Sequence, residues 1–177
     1  MSKKYLDRIV PLVFIAISAI VFVCMALLLF VPCHIRETCD RFAEKYGLDG
    51  DLVCAVIKTE SGFKKDSVST KGACGLMQIM PETFDYITEK FGLNKGDIFV
   101  PENNIEAGCA YLSYLFDEFE TEKETLCAYN AGEGTVREWL CDPVISSDGK
   151  TLERIPYKET EKYIAKISFY KNLYKGS

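Results

Sequence analysis

The sequence predicts a mainly α-helical domain with one small β-hairpin, preceded by a single transmembrane helix. Three observations carry that expectation. The 23 residues from Ile9 to Val31 hold no charged side chain, a run long enough to cross a bilayer with some tilt. Most of the remaining chain falls into segments whose apolar residues recur at three- and four-residue spacing, bounded by Gly or Pro. One stretch, Val144-Ile145 through Asp148-Gly149 to Thr151-Leu152, carries the Asp-Gly signal of a tight hairpin.

The N-terminal run is interrupted only by Pro11, Ser18 and Cys24. It is longer than the apolar region of a cleaved signal, and no Ala-x-Ala site follows. Pro32 beside Cys33 makes a poor lipoprotein site. An uncleaved anchor is therefore expected, with a cleaved signal as the alternative. Lys3, Lys4 and Arg8 precede the span and keep the N-terminus cytoplasmic. The predicted organisation is a cytoplasmic tail 1–8, an anchor 9–31 in the lipid bilayer, and an extracytoplasmic domain 32–177 facing the cell wall. The whole chain carries −5; without Lys3, Lys4, Asp7 and Arg8 the remainder carries a formal −7. Such an acidic surface argues against nucleic acid as a partner.

Seven of the eight cysteines follow the apolar run. Cys54, Cys109 and Cys127 sit in helical patterns where a small buried residue fits. No CxxC and no Cys/His cluster occurs, and the single His is His34, so no metal or other cofactor is expected. One or two disulfides are compatible with export, but their pairing is not readable.

In order, the soluble part opens with a helix over Ile35–Tyr46, ended by Gly47. Asp49 or Asp51 caps a second helix carrying Leu52 through Glu60. Residues 63–73 read as loop, followed by the apolar run Gly75-Leu76-Met77-Gln78-Ile79-Met80. Pro81 opens a helix to about Phe91 and Pro101 opens the longest one, to about Phe119. The inner stripe of that helix is Ile105, Cys109, Leu112, Phe116 and Phe119, with Gly108 and Ala110 admitting a close neighbour. A helix over Glu122–Asn130 breaks at Ala131-Gly132, and a short one holds Val136–Leu140. The last runs from Lys158 to Tyr174 with Tyr163, Ile164, Ile167 and Tyr170 inward.

Glu60 ends the stripe Leu52, Val53, Val56, Ile57, which places a carboxyl at the tip of a core-facing surface. Desolvation there favours the neutral acid that a proton donor needs. Taken alone, a Glu swung to solvent at a frayed helix end is the simpler reading. Gln78 stands inside an apolar run, where an unpaired amide is costly; a core Gln bonded to backbone explains it equally. Ala128-Tyr129-Asn130-Ala131-Gly132 reads as an ordinary helix end. Glu159 in the first turn of the last helix, with Tyr163 inward, reads as dipole stabilisation plus core.

The four fragments together, Glu60-Ser61, Gly75-Leu76-Met77-Gln78, Ala128-Tyr129-Asn130-Ala131-Gly132 and Ile155-Pro156-Tyr157-x-Glu159-Thr160-x-x-Tyr163, resemble the soluble lytic transglycosylase family in order and spacing. The resemblance implies a lysozyme-like α+β fold and, as partner, the glycan strands of peptidoglycan. It implies cleavage of the MurNAc-β-1,4-GlcNAc bond without hydrolysis, leaving 1,6-anhydroMurNAc. Glu60 is then the single catalytic acid/base, while Ser61, Met77, Gln78, Tyr129, Asn130, Glu159 and Tyr163 bind or orient substrate. An intramolecular hydroxyl takes the place of water, so the second carboxylate of ordinary glycosidases is dispensable. Cys74 departs from the small or polar residue usual before Gly-Leu-Met-Gln. Two other readings stay open: a hydrolytic muramidase of the same fold, and a non-catalytic glycan-binding component of an envelope-spanning secretion or conjugation machine, which would bring an envelope protein complex as partner.

Overall fold

The computed structural model describes residues 3–29 and 31–175, with side chains for 10–23 and 31–175. The chain divides into two units at Phe30. The first is α1, Lys3–Leu29, a helix with Pro11 inside it. Its large apolar residues between Val10 and Val23 are all exposed. Among the described residues no helix is long and apolar enough to cross a membrane. The predicted span 9–31 runs on into residues whose side chains lie outside the described ones.

Among its described residues the second unit holds seven helices: α2 Cys33–Lys45, α3 Gly50–Glu60, α4 Pro81–Lys90, α5 Pro101–Phe119, α6 Glu122–Ala131, α7 Glu133–Cys141 and α8 Lys158–Tyr174. Their ends follow from local chemistry. The Asp49 carboxylate accepts the Asp51 N–H and caps α3. Pro81 and Pro101 open α4 and α5. Thr121 caps α6 by accepting the Glu124 N–H. Gly132, at φ 94, closes α6 and starts α7, a conformation that L side chains avoid.

Helix α3 lies at the centre, packed on α2 and α8. Leu52 through Ile57 are all buried, so the predicted stripe widens into a helix enclosed on nearly every side. Complete burial of one such aliphatic side chain stabilises the fold by about 1.5–3 kcal/mol. The stripe of α5 is also as expected, with Ile105, Cys109, Leu112 and Phe119 buried and Phe116 half-buried. A second cluster of Leu115, Phe119, Cys127, Val136, Trp139 and Leu152 joins α5, α6 and α7. Helix α6 touches α5, α7 and α8 and so ties the two clusters together.

The predicted hairpin over 144–152 is not present. Among the described residues the only β pairing is a pair of isolated bridges, Val68 with Cys74 and Cys74 with Ile79. The cause lies in where the backbone N–H groups go. The Asp148 carboxylate accepts the N–H groups of Lys150 and Thr151 at 2.8 and 2.7 Å. The Leu152 N–H goes to the buried Glu124 carboxylate at 2.8 Å. A single backbone bond, from Glu153 N–H to the Ile145 carbonyl, crosses the turn. Side-chain acceptors took the donors that a ladder needs.

Cys39, Cys54, Cys74, Cys109 and Cys127 are buried free thiols, whereas Cys33 and Cys141 are exposed. Cys54, Cys109 and Cys127 thus occupy the small core positions expected of them.

Candidate active site

The end of α3 sets the geometry. Glu60 is its last residue, and Ser61 turns the chain out of the helix with its N–H on the Ile57 carbonyl. The Ser61 hydroxyl also returns to the Ile57 carbonyl, at 3.2 Å, so it finishes the helix rather than facing outward. Glu60 is thereby held mostly buried against α6 and α8. Burial raises its carboxyl from 4.5 to about 7, and the Tyr163 hydroxyl, hydrogen-bonding to the carboxylate, pulls the other way.

Two tyrosines flank the acid. Tyr163, on α8, is buried, and its hydroxyl makes no hydrogen bond of regular geometry, although it stands close enough to Glu60 to act on the carboxyl. Tyr129, on α6, donates its hydroxyl to the Met77 carbonyl at 2.8 Å. Both phenols are pushed well above 10, by burial first and by the Glu60 charge second, so both stay neutral. Their difference is one of commitment: the Tyr129 proton is already given to Met77, while the Tyr163 proton is free for Glu60.

Met77 belongs to the turn over residues 75–78. Its own N–H goes to the Asn104 side-chain oxygen at 2.7 Å. Its side chain lies against α5 at Gly108, where an added Cβ would collide with the Met77 sulfur. Gly108 is thus the close approach expected of it, and Met77 is the neighbour. Gln78 holds a left-handed backbone at φ 49, which a non-glycine residue rarely adopts. Its amide N–H groups bond the Ser67 and Gly75 carbonyls at 3.0 and 2.9 Å, which leaves the amide oxygen without a donor among the described residues. The backbone-bonded reading of Gln78 is therefore correct for its nitrogen and leaves its oxygen over.

Asn130, at the end of α6, accepts the Thr160 hydroxyl at 2.8 Å on its side-chain oxygen. Thr160 is 1% exposed and links the start of α8 to the end of α6. Glu159, one residue earlier, is exposed and makes no hydrogen bond or ion pair with this group. The structure accordingly brings Glu60, Tyr163, Tyr129 and Met77 together, with Ser61 and Gln78 adjoining them in the chain. Asn130 sits beside Tyr129 on α6, and Glu159 stands apart. Sequence reasoning assigned no role to Asn104 or Thr160. Asn104 could have been found as a polar residue on the apolar face of α5, one turn before Gly108 and two before Leu112.

A proton donor of this kind, next to neutral phenols and unpaired amide groups, suits acid/base work on an uncharged, hydrogen-bonding substrate. Comparison with known proteins gives this site its family. The sequence model described as the transglycosylase SLT domain matches residues 37–147. The soluble lytic murein transglycosylase of Escherichia coli is 35% identical over 150 residues, 81% of this chain and 23% of that protein. The membrane-bound lytic murein transglycosylase C of Photorhabdus laumondii is 32% identical over 145 residues, 71% of this chain and 39% of that protein. The chain thus spans only about a quarter to two fifths of these relatives' length. Among solved structures, an inactive Glu→Gln mutant of the lytic transglycosylase Slt from Pseudomonas aeruginosa superposes with a TM-score of 0.67 at 34% identity, covering 77% of this chain and 23% of that one. The 70 kDa soluble lytic transglycosylase of Escherichia coli gives 0.67 at 29% identity, covering 78% and 24%. The family model spans more than half of the chain, and the chain belongs to the transglycosylase SLT domain family.

Proposed function

We propose that this protein is a peptidoglycan lytic transglycosylase with Glu60 as its single general acid/base. The observation that carries the reading is the placement of Glu60 at the enclosed end of α3, where burial raises its carboxyl to about 7. Near neutral pH such a group is divided between its acid and base forms, as a residue that gives and then regains a proton requires. Glu60 protonates the glycosidic oxygen between MurNAc and GlcNAc. It then takes the proton from the C6 hydroxyl, which closes on C1 to give the 1,6-anhydro sugar. The C6 hydroxyl is already attached to the reacting ring, so proximity supplies rate that a second carboxylate and a water supply elsewhere. Tyr163 holds Glu60 in orientation. The free Gln78 oxygen and the Asn130 amide nitrogen are suited to N-acetyl and hydroxyl groups of the sugars, with Met77 and Tyr129 lining the site. Ser61 fixes the helix end beneath the acid. The inactivity of the Glu→Gln neighbour from Pseudomonas supports a carboxyl in this role. Purified wall digested with the full chain should release muropeptides one water lighter than hydrolysed ones, and Glu60→Gln should abolish their release. Release at the wild-type rate by Glu60→Gln would end the assignment. A product set wholly in the reducing form would make the protein a muramidase.

The proposal extends to residues 9–31 as a single-pass anchor that holds the domain outside the cell, facing the wall. A charge-free stretch of that length spans about 34 Å as a helix, against an apolar bilayer core of about 30 Å. The exposed apolar side chains from Val10 to Val23 support it, as does the membrane-bound name of the Photorhabdus relative. Carbonate-resistant membrane association that is lost on deletion of residues 1–31 is the expected result.

A further inference from the structure

The turn that carries Met77 and Gln78 is closed at its base by the isolated bridge between Cys74 and Ile79, and it supports a partner of the acid. Asn104 braces the tip of that turn from α5. It is 0% exposed and uses both ends of its amide. Its oxygen accepts the Met77 N–H at 2.7 Å, and its nitrogen donates to the carbonyls of Cys74 at 3.1 Å and Ile98 at 3.0 Å. Gly75 lies so close that an added Cβ would collide with the Asn104 amide nitrogen. One helical turn later, Gly108 receives the Met77 side chain. From Met77 the connection continues: its carbonyl accepts the Tyr129 hydroxyl at 2.8 Å, and Tyr129 lies near enough to Glu60 to feel its charge.

We propose that Asn104 is a positioning residue that acts through the Met77 main chain and the Tyr129 hydroxyl to keep Glu60 shielded from water. It does not touch substrate. Its work is to fix both sides of residue 77: the N–H from α5, which leaves the carbonyl aimed at Tyr129 on α6. Without Asn104 the Met77 N–H and the Cys74 and Ile98 carbonyls lose their buried partner. The turn can then shift, Tyr129 loses its acceptor, and solvent reaches the acid. This rests on Glu60 being the acid/base only in its consequence for rate, not in its consequence for the carboxyl's titration.

The test uses the full chain in detergent with 13C-labelled Glu side chains, following the Glu60 carboxyl by NMR across pH while muropeptide release is assayed separately. In Asn104→Ala the titration midpoint of Glu60 should fall by about one pH unit toward the ordinary carboxyl range as water enters, and kcat should drop about 10-fold or more with KM changed less. Combined with Tyr129→Phe, which already removes the link, Asn104→Ala should move the midpoint no further. Leu115→Ala, in the second core cluster, provides a destabilised control that leaves the midpoint in place. If Asn104→Ala folds and Glu60 titrates as in the wild type, or if its effect adds in full to that of Tyr129→Phe, the proposal is overturned. If Asn104→Ala does not fold, Gly75→Ala, whose Cβ would press on the Asn104 amide, must lower the midpoint in its place, and an unchanged midpoint there refutes the relay. An inactive wild type with these shifts intact would count against the transglycosylase reading and leave the relay standing.

Discussion

Replacing Glu60 by Gln should abolish activity and also stabilise the protein, and the stabilisation should depend on pH in a definite way. In the folded chain the carboxyl is raised from 4.5 to about 7. An acid whose folded value lies above its unfolded value binds more protons when folded, so stability falls as pH rises through the window between the two. Below about 4.5 the folded and unfolded chains both hold the proton and no penalty exists. Above about 7 the folded chain carries a poorly solvated carboxylate, and the shift converts to about 3 kcal/mol lost. Gln fills nearly the same space, hydrogen-bonds Tyr163 and never ionises. The difference in Tm between Glu60→Gln and the wild type should therefore be near zero at about pH 4.5 and grow to about 5–10 °C by about pH 8 for a domain of this size. Thermal unfolding of the full chain in detergent, followed by circular dichroism at half-unit pH steps, measures it directly. A Tm difference that is flat across that range would refute the claim that Glu60 is held out of water, as would a Gln variant less stable at the alkaline end.

Release of muropeptides should decline as pH rises through about 7, because the proton that Glu60 must donate is lost there. Tyr163→Phe removes a bond that favours the charged form, so this decline should move to higher pH, and a pH-rate profile reads the direction. Thr160→Val cuts the bond that orients Asn130; a loss of about 1 kcal/mol in stability should accompany a rise in KM larger than the fall in kcat. Glu124→Ala strips the buried acceptor from the Leu152 N–H, and chemical unfolding should show about 1–3 kcal/mol lost with catalysis little changed.

The helices were readable because each announces its ends in short range. Asp49, Pro81, Pro101 and Gly132 act within a few residues, and the stripes of α3 and α5 need only a period to be seen. Glu60 was visible as a tip on such a stripe. What failed was whatever depended on a partner distant in the chain. The Asp-Gly at 148–149 gave a proper hairpin signal, but no local rule shows that Glu124, on another helix, will claim the Leu152 N–H. Asn104 was overlooked for the same reason. At the start of a helix an Asn reads as a cap, and only the turn 27 residues upstream gives it its work. The opposite commitments of Tyr129 and Tyr163 likewise need three elements in place before they exist.

Cys39, Cys54 and Cys109 lie together in the core where α2, α3 and α5 meet. Contact with Cys54 and then burial push the Cys39 thiol far above its usual range, and burial and then Cys54 do the same for Cys109, so their thiolates are scarce while the domain is closed. Alkylating reagents and oxidants therefore reach this trio only when the central helices part. The sulfurs make a built-in clock: the rate at which they are captured counts how often the scaffold beneath the acid comes undone, without any label having been added.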